Sequence, residues 1–264
     1  MTTVYTGSSD TRSTFRGAWY LVFLDSSSDF ELVPLGEAEN AMSEAAPPTS
    51  SPLSTLKSGA KAVLRLTSLV LISPVLLGYW TTAIVVGRNR ALESTSQLLS
   101  LFPGISGQYL RRAFLQRVLA SCHHTTLVEF GTLFSQSGAI LDENVYVGTR
   151  CQLGLVHLQR DVLLASAVQI PSGGKTHYFD DPTKPIRDQG GERRMVTIGA
   201  GAWIGTGAIV LADVGKGTIV AAGAVVTKAL PENVIAAGVP ARVIRHRFEK
   251  TEGQLENLAV VSSQ

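Results

Sequence analysis

His177 has the most informative setting of the side chains that exchange a proton near neutral pH. It stands in "THYFDDPTKPIRDQGGERRMVT", a Pro-, Gly- and charge-rich stretch separating two regular blocks of sequence. Neutral imidazole, with an unperturbed pKa of about 6.5, suits removal of a proton from an attacking group. Asp180 and Asp181 follow closely enough that one of them can orient the ring, although acidic loop residues are commonly only solvated. His157 is a second candidate, able with Gln152 to position a hydroxyl, or else to be a packed, hydrogen-bonded histidine. His123 and His124 have no Asp, Glu or Cys at metal-ligand spacing, so no metal is expected. Cys122 and Cys151 form no CxxC pair and are expected as buried thiols in a reducing compartment. The chain contains no GxSxG, no P-loop and no dinucleotide fingerprint leading a strand into a helix.

Such groups need a scaffold, and the spacing of aliphatic residues describes one. Ile198, Ile204 and Val210 recur every six residues, Val214 restarts the count after four, and Val220 and Val226 follow at six. Small residues sit four places after these positions, at Ala202, Ala208, Thr218 and Ala224. An earlier block has the same grammar at Leu141, Val147 and Leu153, then after five residues at Leu158, Leu164 and Ile170. Its four-places-later slots hold Val145, Cys151, His157, Val162 and Val168. A sustained period of six is neither helical nor simple strand alternation and predicts a parallel β-helix, in which short strands stack on their equivalents in adjacent coils. The rhythm begins near Leu127 and stops between Ile170 and Ile198, where one hexad, "IPSGGK", leaves a loop over about residues 176–197. Long loops on rigid scaffolds tend to carry function.

The rest of the chain is less regular. Residues 1–57 are rich in Ser, Thr, Pro, Ala and acidic residues and are expected to be disordered, with translation starting at Met42. Residues 58–126 form a hydrophobic and helical region. Within it, residues 66–86 carry no charge between Lys57, Lys61 and Arg65 on one side and Arg88 and Arg90 on the other. This run predicts membrane association as a spanning helix or a hairpin broken at "SPVLLG", or else a buried helix covering the end of the repeat. Residues 106–121 read as an amphipathic helix with Arg111, Arg112 and Arg117 on a basic face. The repeat domain is assigned to residues 127–247 and a polar tail to 248–264. With 23 Lys and Arg against 21 Asp and Glu, the net charge of +2 gives no reason to expect nucleic acid.

The stretch "VTIGAGAWIGTGAIVLADVGKGTIVAAGAVVTKALPENVIAAGVPARVIR" resembles the closing coils of hexapeptide-repeat acyltransferases of the left-handed β-helix superfamily, closest to the maltose, serine and colanic-acid O-acetyltransferase branch. The likeness continues upstream through "GTLFSQSGAILDENVYVGTRCQLGLVHLQRDVLLASAVQIPSGGKTHYFDDP". It implies a mainly β fold, a left-handed parallel β-helix with an N-terminal helical region and a protruding loop. It also implies a homotrimer with active sites between adjacent prisms, acetyl-CoA lying in the groove, and His177 as the catalytic base. The short hexad at Val210 and the unmatched first 126 residues depart from the pattern.

On that implication, backbone N–H groups near Gly201 and Ala202 are candidates for holding the oxyanion. Gly205, Ala222 and Gly223 are candidates for lining the pantetheine arm, and Lys228, Arg242 and Arg245 for meeting phosphate. Gln152, His157 and Asp180 are the acceptor-side candidates. The expected activity is direct, acetyl-CoA-dependent O-acetylation of a sugar or lipid-linked polysaccharide precursor, in the cytoplasm or at the cytoplasmic face of the membrane. N-acetylation of an amino sugar or small amine, or a non-catalytic trimeric scaffold, are the alternatives.

Overall fold

The computed structural model describes Trp19–Val22, Glu31–Pro34 and Pro52–Phe248, with side chains from Thr67 onward. Residues 1–60 and 61–264 form separate units. In the first, β1 (Trp19–Val22) pairs antiparallel with β2 (Glu31–Pro34). The expected disorder of residues 1–57 otherwise lies outside the described residues, as do the start at Met42 and the tail beyond Phe248.

The second unit is a parallel β-helix with three walls, which the chain visits in a fixed order. The first wall stacks β3 (Ser121–Cys122), β6 (Ile140–Leu141), β9 (Val156–Leu158) and β12 (Val196–Ile198). It continues through single parallel bridges at Val214 and Leu230. The second wall stacks β4 (Leu127–Val128), β7 (Tyr146–Val147), β10 (Leu163–Leu164), β13 (Trp203–Ile204), β15 (Ile219–Val220) and β17 (Val234–Gly238). The third stacks β5 (Leu133–Phe134), β8 (Gln152–Leu153), β11 (Gln169–Ile170), β14 (Ile209–Val210) and β16 (Val225–Val226). A final strand, β18 (Ala241–His246), folds back antiparallel on β17. The repeat therefore starts one strand before Leu127, because Cys122 stands six residues ahead of Val128 on the same grid.

The period-six residues fill the interior. Leu141, Val147, Leu153, Leu158, Leu164, Ile170, Ile198, Ile204, Val210, Val214, Val220 and Val226 are all at most 2% exposed. Each such side chain contributes about 1.5–3 kcal/mol by leaving water, and pairing with adjacent coils holds its backbone in place.

The irregular steps all fall at one edge. Passing from the first wall to the second, or from the second to the third, always takes six residues between inward positions, as from Leu141 to Val147 to Leu153. Passing from the third wall back to the first takes seven residues (Phe134 to Leu141), five (Leu153 to Leu158), twenty-eight (Ile170 to Ile198), and then four (Val210 to Val214). The five-residue step corrects the position of His157. Val156 takes the inward slot there, and His157 points outward in register with Ile140 and Thr197.

Corner backbone explains a second sequence pattern. Asn144, Arg150, Asp161 and Ala167 occupy left-handed conformations with φ of 56° to 60°, at corner positions where later coils use Gly201, Gly207, Gly217 and Gly223. A Cβ in that region costs on the order of 1 kcal/mol. Ala167→Gly is therefore expected to raise stability by about 1 kcal/mol, read as a higher denaturation midpoint; a lower midpoint contradicts this account of the corner. Gly205 answers a different demand, since a Cβ there would stand 2.5 Å from the Ala222 amide nitrogen of the next coil.

Three helices precede the β-helix: α1 (Pro52–Val86), α2 (Arg88–Ser100) and α3 (Gly104–Val118). α1 runs unbroken through Pro74 rather than splitting at "SPVLLG", and the chain turns into α2 at Gly87, φ 86°. α2 lies on the first coil, where Ser96 Oγ donates to the Phe134 carbonyl and Asn89 Oδ1 accepts from the Ser137 amide. α3 overturns the expected basic face: Arg111 and Arg112 are buried and only Arg117 is exposed. Arg111 Nε donates to Val128 O at 2.9 Å, and its Nη1 donates to Leu99 O and Phe102 O at 3.2 and 2.7 Å. Arg112 lies over the Tyr109 ring, 4.6 Å from its centroid. These carbonyls at the helix ends and on the first coil need donors, and Arg111 supplies them. Burial holds the Arg111 pKa below its ordinary value, against the nearby charge of Glu129.

Candidate functional site

The long excursion between β11 and β12 leaves from the edge between the third and first walls. Paired backbone groups brace its two limbs: Arg194 N–H donates to Ser172 O at 2.8 Å, Glu192 N–H to Lys175 O at 2.8 Å, and Tyr178 N–H to Gly190 O at 3.0 Å. Arg194 is fixed further by an ion pair to Asp213 at 2.9 Å, whose other oxygen accepts from the Thr197 amide. At the tip, Gln189 accepts from the Asp181 amide and donates to the Asp181 and Lys184 carbonyls. The excursion is thus an arm with internal struts, which positions a side chain more closely than a loose loop would.

His177 sits on this arm between the braced residues Lys175 and Tyr178. It is exposed, and among the described residues its side chain has no hydrogen bond or ion pair. Asp181 does not orient it. Its carboxylate accepts from the Thr183 hydroxyl and amide and meets Lys184 at 3.3 Å, and these contacts, the Thr183 hydroxyl first, hold its pKa below the ordinary carboxylate range. Asp180 is exposed beside it.

Clefts open on both sides of the arm. A cleft of about 240 Å³ lies between α2 and the third wall, lined by Glu93, Gln97, Gln152 and Gln169. Glu93, Ser135 and Pro171 also line a neighbouring cleft of about 450 Å³ that reaches Thr176 and Arg193 on the arm, so the two form one trough. The other side holds a cleft of about 440 Å³ between the limbs of the arm and Leu211, Ala212 and Thr227 of later coils. Carboxamides and a carboxylate give the first trough donors and acceptors for a polyhydroxylated ligand, while the second cleft follows the coil edge toward Lys228.

The structure gathers some of the expected site residues and disperses others. Gln152 lines the trough on the third wall. His157 faces out from the first wall, with Nε2 2.9 Å from Asp142 Oδ2, so the two do not share a surface. Gly201 and Ala202 turn the chain from the first wall to the second, and Ala202 is buried inside the prism. Gly205, Ala222 and Gly223 stack at the edge between the second and third walls. Lys228 stands at the edge bearing the arm, and Arg242 and Arg245 lie on β18. Cys122 and Cys151 are buried to different degrees, and burial pushes the Cys122 thiol up to about 11.

Sequence reading missed Gln169, Glu93 and Gln97. Gln169 had a readable signal, since it takes the same outward position as Gln152 one coil on and pairs with it in register. Glu93 and Gln97 come from α2, and nothing local in their sequence tells where that helix lands.

No family model matches the chain. A Saccharomyces cerevisiae protein named as an acetyltransferase is 49% identical over 148 residues, 52% of this chain and 70% of that protein. The chain spans less of other curated relatives, 29% of one and 64% of another. Among solved structures, a maltose O-acetyltransferase from Clostridium difficile superimposes with a TM-score of 0.54 and 26% identity, covering 63% of this chain and 89% of that one. A galactoside acetyltransferase in complex with coenzyme A gives 0.52 and 26%, covering 60% and 80%.

Proposed function

We propose, from the premise that the chain belongs to the hexapeptide-repeat acyltransferase superfamily, that it transfers the acetyl group of acetyl-CoA to a sugar hydroxyl. His177 takes the hydroxyl proton as the oxygen attacks the thioester carbonyl. Backbone N–H groups hold the oxyanion of the tetrahedral adduct. Collapse expels the coenzyme A thiolate, which recovers the proton from the imidazolium, leaving acetyl ester and free thiol without an acyl-enzyme.

The observation that carries this reading is the exposed imidazole of His177, without a hydrogen-bond partner among the described residues, on a braced arm with a cleft on either side. The carboxamide trough suits the acceptor, and the cleft by Leu211 and Thr227 suits the thioester arm, with Lys228 beyond it for phosphate. An outward apolar row on the second wall, Leu127, Leu163 and Trp203 at 37%, 43% and 49% exposed, supports contact between copies. A trimer closed through such contacts would set each arm against a neighbouring prism and cover His177. On the same proposal, the reaction runs in the cytoplasm or at the cytoplasmic face of the membrane.

Replacing both carboxamides, Gln152→Leu with Gln169→Leu, is expected to raise the KM for a sugar acceptor by about tenfold while leaving that for acetyl-CoA unchanged. Steady-state kinetics with each substrate varied in turn checks it. A rise in the acetyl-CoA KM instead would assign the trough to the donor.

A further inference from the structure

The helix α1 offers a surface that acetyl transfer does not use. Residues Thr67–Val86 make a stretch of 20 residues without a charge, about 30 Å long at 1.5 Å per residue. One side of it is packed on the protein: Ser68, Ile72 and Tyr79 are buried, with Leu69, Val75, Leu76 and Ala83 half-buried. The other side is bare, and Val70, Leu71, Leu77, Ile84 and Val85 are between 61% and 85% exposed.

We infer that this bare face lies in the surface of a lipid bilayer, with α1 parallel to the membrane plane. Three observations favour lipid over water or a second protein. The hydroxyls of Ser73 and Thr81 turn back on the helix, Ser73 Oγ donating to Val70 O at 2.7 Å and Thr81 Oγ1 to Leu77 O and Gly78 O, so these two present no unmet donor to hydrocarbon. Cations bracket the run: Lys57, Lys61 and Arg65 precede it in the sequence, and exposed Arg88 and Arg90 follow it, as anionic headgroups require. Trp80, 43% exposed with Arg88 5.7 Å from its ring, places an amphipathic ring where apolar surface meets charge.

Packing decides the orientation. Tyr79 meets Phe114 of α3 edge-on at 5.5 Å, Arg88 reaches Val118 O at 3.1 Å, and Ser68 and Leu69 share a cleft with Arg112, Gln116 and His124. The protein therefore touches α1 from its first apolar turn to its last. A spanning α1 would draw Arg112, Gln116 and the first coil into hydrocarbon, at several kcal/mol for each unmet polar group. An in-plane α1 keeps them in water and buries only the bare face.

Flotation of the full chain with vesicles tests this. The chain is expected to float with phosphatidylcholine vesicles containing one third phosphatidylglycerol, and more weakly with phosphatidylcholine alone. Leu77→Glu with Ile84→Glu, both on the bare side, is expected to lower the floated fraction by about tenfold or more at an unchanged unfolding midpoint. Wild-type chain that stays out of both vesicle fractions, or a double variant that floats as well as wild type, overturns the docking. Orientation is read with cysteines placed singly at Thr67 and Arg90 and a membrane-impermeant maleimide added outside the vesicles. Labelling of both positions agrees with the in-plane helix, and protection of one end alone overturns it in favour of spanning. Flotation needs no acetyl acceptor, so loss of the catalytic reading leaves this result standing.

Discussion

His177→Ala is expected to lower acetyl transfer by about 10²–10⁴-fold, the usual contribution of a positioned general base, with the fold and the unfolding midpoint unchanged. The side chain is exposed and among the described residues has no hydrogen bond or ion pair, so its loss removes no structural hydrogen bond. The arm that carries it is held by backbone pairs and by Arg194, none of which involves the imidazole. A structural role would show as a lower midpoint, and a binding role as a raised KM with kcat retained. The account requires the loss in kcat. Retained kcat, with any change confined to KM, would remove His177 from the proton transfer.

The second large effect is on stability. Arg111→Leu is expected to cost about 3 kcal/mol, because the carbonyls of Val128 and Phe102 lose the Arg111 donor, while Leu99 O keeps the Phe102 amide at 3.4 Å, and an unmet buried acceptor costs about 1–3 kcal/mol. Opposing terms reduce the sum. Arg111 is itself a buried cation that among the described residues has no ion pair, and its Nη2 has no hydrogen-bond partner there. Arg111→Lys should recover little, since a point ammonium cannot reach three carbonyls as the fork does. Chemical denaturation checks both variants. A loss under about 1 kcal/mol for Arg111→Leu would mean that apolar contacts, and not Arg111, hold α3 to the first coil.

How far the sequence could be read follows from the range of the forces involved. The interior rows were legible because each aliphatic residue in them repeats a local rule: Ile198, Ile204 and Val210 are spaced by strand and corner geometry alone. His177 was legible as an interruption of that rule. His157 was not, since its outward direction depends on a one-residue deletion at a corner whose identity emerges only when the coils are stacked. Arg111 and Arg112 read as a basic face because a helical wheel cannot foresee that carbonyls of another element will come to meet them. Pro74 suggested a break for the opposite reason: its local cost was visible, and the packing of Ile72 and Tyr79 on either side of it was not. The trough combines both cases, with Gln152 and Gln169 readable from the repeat and Glu93 and Gln97 supplied by the docking of α2.

The most direct test is to incubate the full chain with acetyl-CoA and a panel of sugars, amino sugars and serine, and to read products by mass before and after mild alkali. The account predicts an acetylated sugar that loses its acetyl group in alkali, together with free coenzyme A, and neither product with His177→Ala. An alkali-stable acetyl amide as the product, or a sugar ester formed equally well by His177→Ala, would contradict it.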